Sequence, residues 1–419
     1  MIAEIVSVGT ELLLGQIVNT NSTYISQRLA ELGIDVYFQS CVGDNLLRLQ
    51  SVVLQALSRS DIVIVTGGLG PTDDDLTVSA VAGVLNRELV FSQEVLADIE
   101  RYFSKTGRQA PETNVKQAYV IEDCNIIRNK IGTAPGQIVE DSGKVIVLLP
   151  GVPREMTWMM ETSVIPYLKE KRLAGSGVIS SRVVRVVGIG ESALVEELDD
   201  IMSTQTNPTI APIAHDGLID LRITAKAPDQ VSADRMLSDV ARKLEGRLGE
   251  LIYGYDNDRL AEVVGHLLAE RRLSLALAES CTGGLLGQLI TSIPGSSEYF
   301  LGGVVAYSNE SKMKLLGVRD QVLASYGAVS RQTAIAMASG VRNLFDASVA
   351  VSVTGLAGPG GGTATKPVGL VFIAVICNSL VAVGKFLFNG DRDQVRHRTA
   401  VAALNLLRKS LLASGTAKG

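Results

Sequence analysis

The first 65 residues alternate short apolar runs with amphipathic stretches. Ile2–Val8 is apolar at most positions and predicts a buried strand. Ile25, Leu29 and Leu32 then recur at helical spacing, and the glycine at 33 is typical of a helix C-terminus. The pattern continues as a strand, a helix and a strand at Asp35–Val42, Leu46–Ser58 and Asp61–Val65. This βαβαβ alternation predicts a parallel sheet covered by helices on both faces.

The pattern changes over residues 171–255. Its predicted elements are a strand at Arg182–Val187, a helical stretch at Ser192–Met202, a hairpin of Thr209–Ala214 with Leu218–Ala225, and a helix at Val231–Leu248. A hairpin that is closed by a following helix predicts a small α+β domain.

From residue 256 the alternation of helices and strands returns. Polar clusters follow apolar runs at Gly303–Ala306, Val349–Val353 and Phe386–Phe388. In a doubly wound sheet such clusters meet at the carboxyl ends of the strands, where ligands bind. The predicted fold class is therefore α/β, with two doubly wound α/β domains at 1–170 and 256–419 joined by the α+β domain at 171–255.

Composition narrows the class of protein. The chain has 419 residues, 46% hydrophobic and 20% charged, which suits a globular protein of several domains. Aromatic residues make up 5%, so surfaces that stack nucleic-acid bases are not expected. The four cysteines form no CxxC spacing, which argues against a zinc site or a disulfide framework. No signal peptide or membrane-spanning run is apparent, so a cytoplasmic protein with no membrane partner is predicted.

The stretch Leu273–Gly284 carries the strongest candidate chemistry. It predicts a strand, a polar turn, and a helix that begins near residue 285. Free N–H groups collect at a helix start, so a hydroxyl placed there lies beside an anion site. Ser280 is the leading candidate nucleophile, with Cys281 and Thr282 as alternatives. Simple helix capping by these residues is the competing interpretation.

A serine nucleophile needs a base, and Lys312 is the natural candidate. A buried lysine can accept the proton of a serine in place of histidine. The chain contains only three histidines, which disfavours a Ser–His–Asp triad. Tyr307 is the candidate that relays the proton or orients the lysine. An ordinary exposed helix lysine is the alternative.

A second cluster follows the third predicted strand of the first domain, at Thr66–Thr77. Its glycines free the backbone to cradle a phosphate. The consecutive carboxylates Asp73–Asp75 repel one another unless a cation takes up their charge, and oxygen ligands suit Mg²⁺. The alternative is that they cap and charge the first turn of the next helix.

At these residues a family resemblance becomes visible. Gly67–Thr77 resembles the Gly-Gly-x-Gly-x-x-x-x-Asp-x-Thr signature of MoaB/MogA-like molybdopterin-binding domains, and with Gly9–Gly15 and Asn19–Asn21 it resembles the N-terminal domain of the CinA family. The resemblance implies an ADP-ribose pyrophosphatase that depends on a divalent metal ion, Mg or Co. It implies metal ligands Asp44, Asp74 and Asp75, and substrate-binding residues Gly67, Gly68, Gly70 and Thr77.

Residues 171–255 resemble the KH-like linker of the same family. The turn Gly188–Glu191 lacks the GxxG clamp of nucleic-acid-binding KH modules, so no direct nucleic-acid contact is expected. We interpret the segment as a spacer and an oligomerisation surface, and a homodimer is expected.

The last domain resembles the PncC-like nicotinamide-nucleotide amidohydrolase domain of the CinA family. The matching blocks are Ala278–Gly284, Tyr307-Ser308-Asn309-x-x-Lys312, Gly355-x-Ala357-Gly358-Pro359 and Gly390-Asp391-Arg392-x-x-Val395-Arg396. The resemblance implies that Ser280 attacks the amide of nicotinamide mononucleotide, that Lys312 accepts its proton, and that no cofactor takes part. It implies substrate-binding residues Thr282, Gly283, Gly284, Asn309, Gly355, Gly358, Arg392 and Arg396. The amides of Cys281–Gly283 are the expected oxyanion donors, and the two arginines are expected to bind the 5′-phosphate.

The expected function is a bifunctional enzyme of pyridine-nucleotide salvage. Its small-molecule partners would be nicotinamide mononucleotide, converted to nicotinate mononucleotide and ammonia, and ADP-ribose, cleaved to AMP and ribose 5-phosphate. The alternative is an accessory protein of competence or DNA-damage response that binds molybdopterin or a nucleotide without turnover.

Overall fold

The computed structural model describes residues 1–105, 107–171, 173 and 177–415. The chain divides into two compact units, one of residues 1–180 with 225–236 and one of residues 181–224 with 237 onward. Each unit is built on its own sheets and cores. The segment predicted as a separate α+β domain is thus shared between the two units.

The first unit is built on a mixed sheet. Its strands are β1 (Ile2–Val8), β2 (Asp35–Val42), β3 (Ile62–Thr66), β4 (Leu89–Phe91), β5 (Tyr119–Ile121), β6 (Asn125–Ile127), β7 (Gly136–Asp141) and β8 (Lys144–Leu149). Within the described residues the order is β2-β1-β3-β8-β7-β6, and β4 pairs separately with β5. The pairs among β2, β1, β3 and β8 are parallel, as predicted, whereas β8–β7 and β7–β6 are antiparallel. A tight turn with positive φ at Ser142 and Gly143 reverses the chain between β7 and β8.

Helices cover this sheet on both faces. They are α1 (Thr10–Leu13), α2 (Thr20–Glu31), α3 (Leu46–Arg59), α4 (Thr77–Leu85), α5 (Gln93–Lys105), α6 (Pro153–Met159) and α7 (Ile165–Glu170), with a 3₁₀ helix at Glu112–Ala118 and a π-helical turn at Met160–Val164. Alternate residues of β1 point to opposite faces, so Ile5 joins one apolar core and Val6 the other.

The linker segment forms a four-stranded sheet among the described residues. Its elements are β9 (Val178–Val187), α8 (Glu191–Glu197), α9 (Asp199–Met202), β10 (Thr209–His215), β11 (Leu218–Ala227), α10 (Gln230–Leu248), a 3₁₀ helix at Gly249–Leu251 and β12 (Ile252–Tyr255). The order among the described strands is β10-β11-β9-β12. The predicted hairpin is present, with Asp216 and Gly217 at positive φ in its turn.

The last domain is a second α/β layer structure. Its elements are α11 (Leu260–Glu270), β13 (Leu275–Glu279), α12 (Leu285–Thr291), a 3₁₀ helix at Ser296–Glu298, β14 (Phe300–Val305), α13 (Asn309–Leu316), α14 (Asp320–Tyr326), α15 (Arg331–Phe345), β15 (Val349–Gly355), β16 (Leu370–Cys377), β17 (Leu380–Leu387) and α16 (Arg392–Gly415). The order is β14-β13-β15-β16-β17 among the described strands.

The parallel part of this sheet holds the candidate site. β14, β13 and β15 run parallel, and β16 and β17 return as antiparallel neighbours. The carboxyl ends of β13, β14 and β15 therefore lie at one edge, where their following turns converge. The α/β prediction is confirmed for both larger domains, although each sheet is mixed. Among the described residues no helix has the length and apolar character needed to span a membrane.

Candidate active site

Ser280 and Lys312 meet at the edge formed by β13 and β14. Ser280 follows β13, and its amide donates to the carbonyl of Val353 on the neighbouring strand. Lys312 lies on α13, whose start is capped by the side chain of Ser308. The Nζ atom of Lys312 lies 3.1 Å from Oγ of Ser280. The sequence thus predicted correctly that two distant residues would form a hydroxyl–amine pair.

The lysine is held by two further oxygens. Its Nζ donates to the carbonyl of Ala306 at 2.9 Å and to that of Tyr307 at 3.3 Å. Lys312 is only 1% exposed and Ser280 8%. Burial lowers the pKa of Lys312 below that of an ordinary lysine because desolvation disfavours the charged form. The alternative of an exposed helix lysine is therefore wrong.

Cys281, the rival nucleophile, points into the apolar core of the domain. Burial raises the pKa of its thiol to about 12, so the reactive thiolate is not populated near neutral pH. An ideal Cβ at Gly355 would lie 2.6 Å from Cγ2 of Val371, 2.9 Å from the carbonyl oxygen of Leu370 and 3.1 Å from the sulfur of Cys281, so a side chain there would collide with its neighbours. Of the two groups, Ser280 is the one in contact with a base.

The helix start after Ser280 is already occupied by an acidic side chain. The carboxylate of Glu279 accepts the amides of Gly284 at 3.0 Å, Leu286 at 3.1 Å and Gly287 at 2.8 Å. The expectation of free helix-terminal amides for a ligand is corrected here, since an internal carboxylate takes them. The amide of Gly283 donates to the carbonyl of Ser280, which leaves Cys281 and Thr282 as the oxyanion donors to consider in this turn.

Arg392 connects two of the predicted site residues. Its guanidinium donates to the carbonyl of Gly358 at 2.7 Å and to the hydroxyl of Tyr307 at 2.6 Å. The hydroxyl of Tyr307 therefore contacts this arginine, while the backbone carbonyl of Tyr307 contacts Lys312. This geometry favours orientation of the lysine by the tyrosine backbone over a relay through the tyrosine hydroxyl.

Arg396 lies one helical turn further along α16. It donates to the carbonyl of Thr282 at 3.0 Å and 3.3 Å, and to Asp393 at 2.9 Å. Thr282 is fully buried, and its Oγ1 has no hydrogen-bond partner in the described part of the chain. Arg396 thus fixes the backbone of the turn Ser280–Gly284, and the sequence did not reveal this role. Asn309 is exposed at the first position of α13.

In the first unit the side chain of Thr77 anchors the glycine loop, which consists of residues Gly67–Gly70. The hydroxyl of Thr77 donates to the carbonyl of Gly67 at 2.7 Å, and Thr77 is fully buried. Gly67 has φ +106, and an ideal Cβ there would lie 2.2 Å from the carbonyl oxygen of Val8. Thr77 was predicted to bind substrate, but its contact is with the loop itself. Gly68 and Gly70 line a cavity of about 460 Å³ in front of the loop.

The predicted metal ligands lie in different local settings. Asp75 lines the same cavity, and its carboxylate accepts from the amide of Thr72 at 2.8 Å and from its hydroxyl at 2.6 Å. Asp44 accepts from the amide and the hydroxyl of Thr10 at 2.9 and 2.7 Å. Asp74 is exposed. Asp75 thus closes its own loop and does not cap the next helix, because α4 has no side-chain cap and no acidic residue in its first turn. The remaining lone pairs of the Asp75 carboxylate are left for a cation.

The acidic loop fits a metal only in part. Among the described residues, no group of three or more His, Cys, Asp or Glu side chains is arranged to hold a metal ion. Mg²⁺ commonly uses one or two carboxylates, with substrate phosphates and water completing its shell. Asp75 in the wall of a glycine-lined cavity fits that mode, whereas an all-protein cage does not.

Glu155 lines this cavity too, and the sequence reasoning did not assign it a role. It accepts from Nδ2 of Asn129 at 2.6 Å, and burial raises its pKa. The sequence did carry a signal, because Glu155 lies in Leu149–Met156, a stretch that resembles a later loop of the CinA-family N-terminal domain. Only the fold shows that this block faces the glycine loop.

Three known protein families match successive stretches of the chain. Residues 4–170 match the family described as "Probable molybdopterin binding domain", residues 181–254 "Damage-inducible protein CinA KH domain", and residues 257–411 "CinA C-terminal domain". The fold, the Ser–Lys pair and these matches define a class of multidomain α/β protein with a molybdopterin-binding-type domain, a KH-type segment and a CinA-type C-terminal domain.

Full-length relatives establish the family. "CinA-like" proteins of Dictyoglomus thermophilum and Kosmotoga olearia are 48% and 47% identical, each over 98% of this chain and 100% and 99% of the relative. A solved structure of the competence/damage inducible protein CihA from Agrobacterium tumefaciens is 40% identical, over 37% of this chain and 93% of that one, with a TM-score of 0.35. The chain belongs to the CinA family.

Proposed function

We propose that the last domain hydrolyses the carboxamide of nicotinamide mononucleotide to the carboxylate and ammonia. The observation that carries the proposal is the set of three oxygens around Nζ of Lys312. A neutral amine has two N–H groups and one lone pair. The carbonyls of Ala306 and Tyr307 can only accept, so they take the N–H groups and the lone pair is left for the hydroxyl of Ser280.

Catalysis starts when Ser280 attacks the amide carbon. Its proton passes to Nζ of Lys312 as the carbon–oxygen bond forms, and the carbonyl oxygen becomes an oxyanion. Lys312 then gives that proton to the amide nitrogen, the carbon–nitrogen bond breaks, and ammonia leaves. The ester on Ser280 remains, and Lys312 is neutral again.

Water completes the cycle by the same route. Lys312 takes one proton from a water molecule that attacks the ester carbon, and returns it to Oγ of Ser280 as the carbon–Oγ bond breaks. The carboxylic acid that leaves keeps the second proton of the water and releases it to solvent to become the carboxylate. The backbone amides of Cys281 and Thr282 stabilise the oxyanion in both steps. The loss of one oxyanion donor typically raises the activation barrier by about 2.7–4 kcal/mol.

Arg392 and Arg396 supply positive charge beside this turn. Arg392 is exposed at the first position of α16, and two of its donors are used within the protein. A guanidinium carries five donors, so others remain for a phosphate. Arg396 is committed to Thr282 and Asp393, so we assign the 5′-phosphate mainly to Arg392.

Ammonia release from nicotinamide mononucleotide tests the amidase. The wild-type chain should release ammonia, the Ser280→Ala variant should not, and the Cys281→Ala variant should remain active because its thiol lies in the core. Activity in Ser280→Ala, with loss in Cys281→Ala, would reverse the assignment of the nucleophile.

For the first unit we propose metal-dependent cleavage of the pyrophosphate of ADP-ribose to AMP and ribose 5-phosphate. The support is a cavity of about 460 Å³ that brings the glycine loop, Asp75 and Glu155 together. A divalent ion bound with the phosphates would neutralise charge during cleavage. The assay is AMP release with added Mg²⁺ or Co²⁺, and a chain that releases no AMP with either ion contradicts the proposal.

A second candidate for this unit is binding of a molybdopterin or nucleotide without turnover, as an accessory protein in competence or DNA-damage response. The match to a molybdopterin-binding domain and the lack of a three-ligand metal cluster in the described residues favour it. Calorimetric binding of such a ligand without product release would support this candidate.

A further inference from the structure

A cavity of about 780 Å³ lies along one face of α16 in the second unit. Its other walls are the turn after β9, the turn between β10 and β11, and the end of β17. Neither Ser280 nor Lys312 lines it, so it is separate from the candidate active site. The residues of α16 that line it recur at helical spacing: Arg398, Val401, Ala402, Asn405, Leu406 and Lys409.

The middle of this cavity is apolar. Phe386 and Phe388 of β17 both line it, and their rings stack with centroids 5.5 Å apart. Val401 and Leu406 line the same stretch from α16. The α16 wall from 398 to 409 is about 16 Å long at a rise of about 1.5 Å per residue. The volume and the apolar walls are those of a small-molecule site, and the cavity extends along the helix.

Asn405 is held in one orientation by Arg408. The Nε and Nη2 atoms of Arg408 donate to Oδ1 of Asn405 at 3.3 and 3.1 Å. A guanidinium can only donate, so the oxygen of the amide faces Arg408 and its nitrogen faces away. Arg408 is buried, and it also donates to the backbone carbonyls of Glu250 and Ile252. The two side chains are therefore fixed by the fold.

The nitrogen of this amide is a donor without a partner. Asn405 is 8% exposed and lines the cavity. Within the described part of the chain its Nδ2 makes no hydrogen bond, and it is not one of the unpartnered atoms that are sealed from solvent. A Cβ on Gly188, which has φ +88, would lie 3.0 Å from Nδ2. The glycine thus leaves this nitrogen open to the cavity, which Gly188 also lines.

A cation lies one helical turn further along α16. Lys409 is half-buried and lines the cavity. Its ammonium group forms no ion pair or hydrogen bond with any residue that the structure describes. Residues four apart lie on the same face of a helix, so Nδ2 of Asn405 and Nζ of Lys409 stand close together. Two neighbouring donors at one end of an apolar cavity are complementary to an acid group.

The other charged residues of the cavity do not occupy these donors. Arg398 donates to the carbonyl of Asn389. A Cβ on Gly217 would lie 3.4 Å from Cγ of Arg398, so the arginine lies against the turn that carries Asp216. Glu191 is exposed at the first position of α8. The donors left for a ligand are therefore at the opposite end of the α16 wall from Arg398.

We propose that this cavity binds a carboxylic acid with an elongated aliphatic chain, of the fatty-acid type. The two oxygens of the carboxylate accept from Nδ2 of Asn405 and from Nζ of Lys409. The chain lies along the apolar part of α16 towards Phe386 and Phe388. A linear chain fits because the apolar wall follows the helix axis. The inference is independent of both proposed activities.

Calorimetric titration of the full chain with decanoate and with decan-1-ol tests the head group. We expect one decanoate to bind per chain. Asn405→Asp keeps an oxygen for Arg408 and replaces Nδ2 by a second oxygen, so it should weaken decanoate binding at least about tenfold. The affinity for decan-1-ol should change less than about twofold, because a hydroxyl can donate to the new carboxylate.

Lys409→Met is the second variant, and it should also weaken decanoate binding about tenfold without affecting decan-1-ol. It leaves the contact between Asn405 and Arg408 in place, so it tests the site even where Asn405→Asp lowers the stability. Lys385→Met is the matched control, because Lys385 is exposed on β17 and does not line the cavity. This control removes the same charge and should leave the affinity for decanoate unchanged.

Two results would overturn the proposal. One is that decanoate does not bind, or binds wild type, Asn405→Asp and Lys409→Met with equal affinity. The other is that Asn405→Asp changes the oligomeric state in sedimentation while wild type binds no acid, which would assign the cavity to a contact between copies of the chain.

Discussion

The two candidate sites of this chain differ in the chemical groups that form them. In the last domain the reacting groups are side chains, and the hydroxyl of Ser280 lies 3.1 Å from the buried amine of Lys312. In the first unit the cavity is lined by loop residues that include Gly68, Gly70 and Asp75. The carboxylates of Asp44 and Asp75 there accept hydrogen bonds from Thr10 and Thr72. The Ser280–Lys312 pair of the last domain is in contact without a ligand. The cavity of the first unit instead presents loops and carboxylates that a bound ligand would complete.

The difference follows from what each chemistry needs. A lysine can act as a base only if burial keeps it neutral, so its surroundings must be fixed by the fold. Phosphate cleavage needs positioning and charge neutralisation, which a metal ion and backbone amides supply when substrate binds. A variant in one site should therefore leave the activity of the other site unchanged.

Lys312→Met should abolish ammonia release and leave AMP release unchanged. Methionine fills a similar volume without an amine, so Ser280 loses its base, and kcat should fall by about 10²–10⁴ or more. Lys314→Met is the matched control, because Lys314 is exposed on the same helix, and it should remain fully active. An active Lys312→Met variant would show that the buried pair is structural.

Chelation of divalent ions should inhibit ADP-ribose cleavage and leave ammonia release unaffected. With EDTA, ADP-ribose cleavage should fall at least about a hundredfold, while ammonia release stays constant. Asp75→Asn sharpens the test, because an asparagine oxygen can still accept from Thr72 but carries no charge for a cation. Full AMP release by Asp75→Asn would mean that Asp75 is only a cap.

Arg392→Gln should weaken the binding of nicotinamide mononucleotide. Charged hydrogen bonds to a phosphate are worth about 1.5–3 kcal/mol, so KM should rise roughly 10–150-fold. The uncharged nicotinamide riboside is the substrate control, and its KM should not change. Tyr307→Phe removes the hydroxyl that contacts Arg392, and a small effect in that variant would exclude a proton relay through this hydroxyl.

A smaller effect is expected on the pH dependence of the free energy of unfolding, through Lys312. The lowered pKa of Lys312 means that the folded chain binds fewer protons there than the unfolded chain, between the folded pKa and the higher unfolded pKa. The free energy of unfolding should therefore rise with pH across that window, by at most about 1.4 kcal/mol per pH unit. Lys312→Met should lack this slope in denaturation measured by circular dichroism. An identical slope in both proteins would show that Lys312 is charged in the fold.

The acid limb of kcat/KM for ammonia release reports the same group. Activity requires the neutral amine, so the rate should rise with pH and reach its plateau below the usual lysine pKa. Lys312→Arg keeps a charge at every pH and should be inactive throughout. A plateau at the ordinary lysine pKa would contradict the influence of burial.

The class of the fold and the pairing of Ser280 with Lys312 could be predicted from the amino-acid sequence. Strand-length apolar runs such as Ile2–Val8 and helical stripes are local patterns, so they appear without any knowledge of the tertiary contacts. Ser280 and Lys312 lie 32 residues apart, and only the family blocks around them indicated that they meet. The antiparallel part of the sheet in each α/β domain was missed, because a hydrophobic run does not record the direction of its neighbour.

The tertiary structure alone decided what each polar group is bonded to. Glu279 takes the helix-start amides, Arg396 holds the carbonyl of Thr282, and Asp75 caps its own loop. The lowered pKa of Lys312 likewise depends on burial that several elements create together. Such roles are set by which distant atoms come within about 3 Å and how much water is excluded, and neither quantity is written in a local pattern of residues.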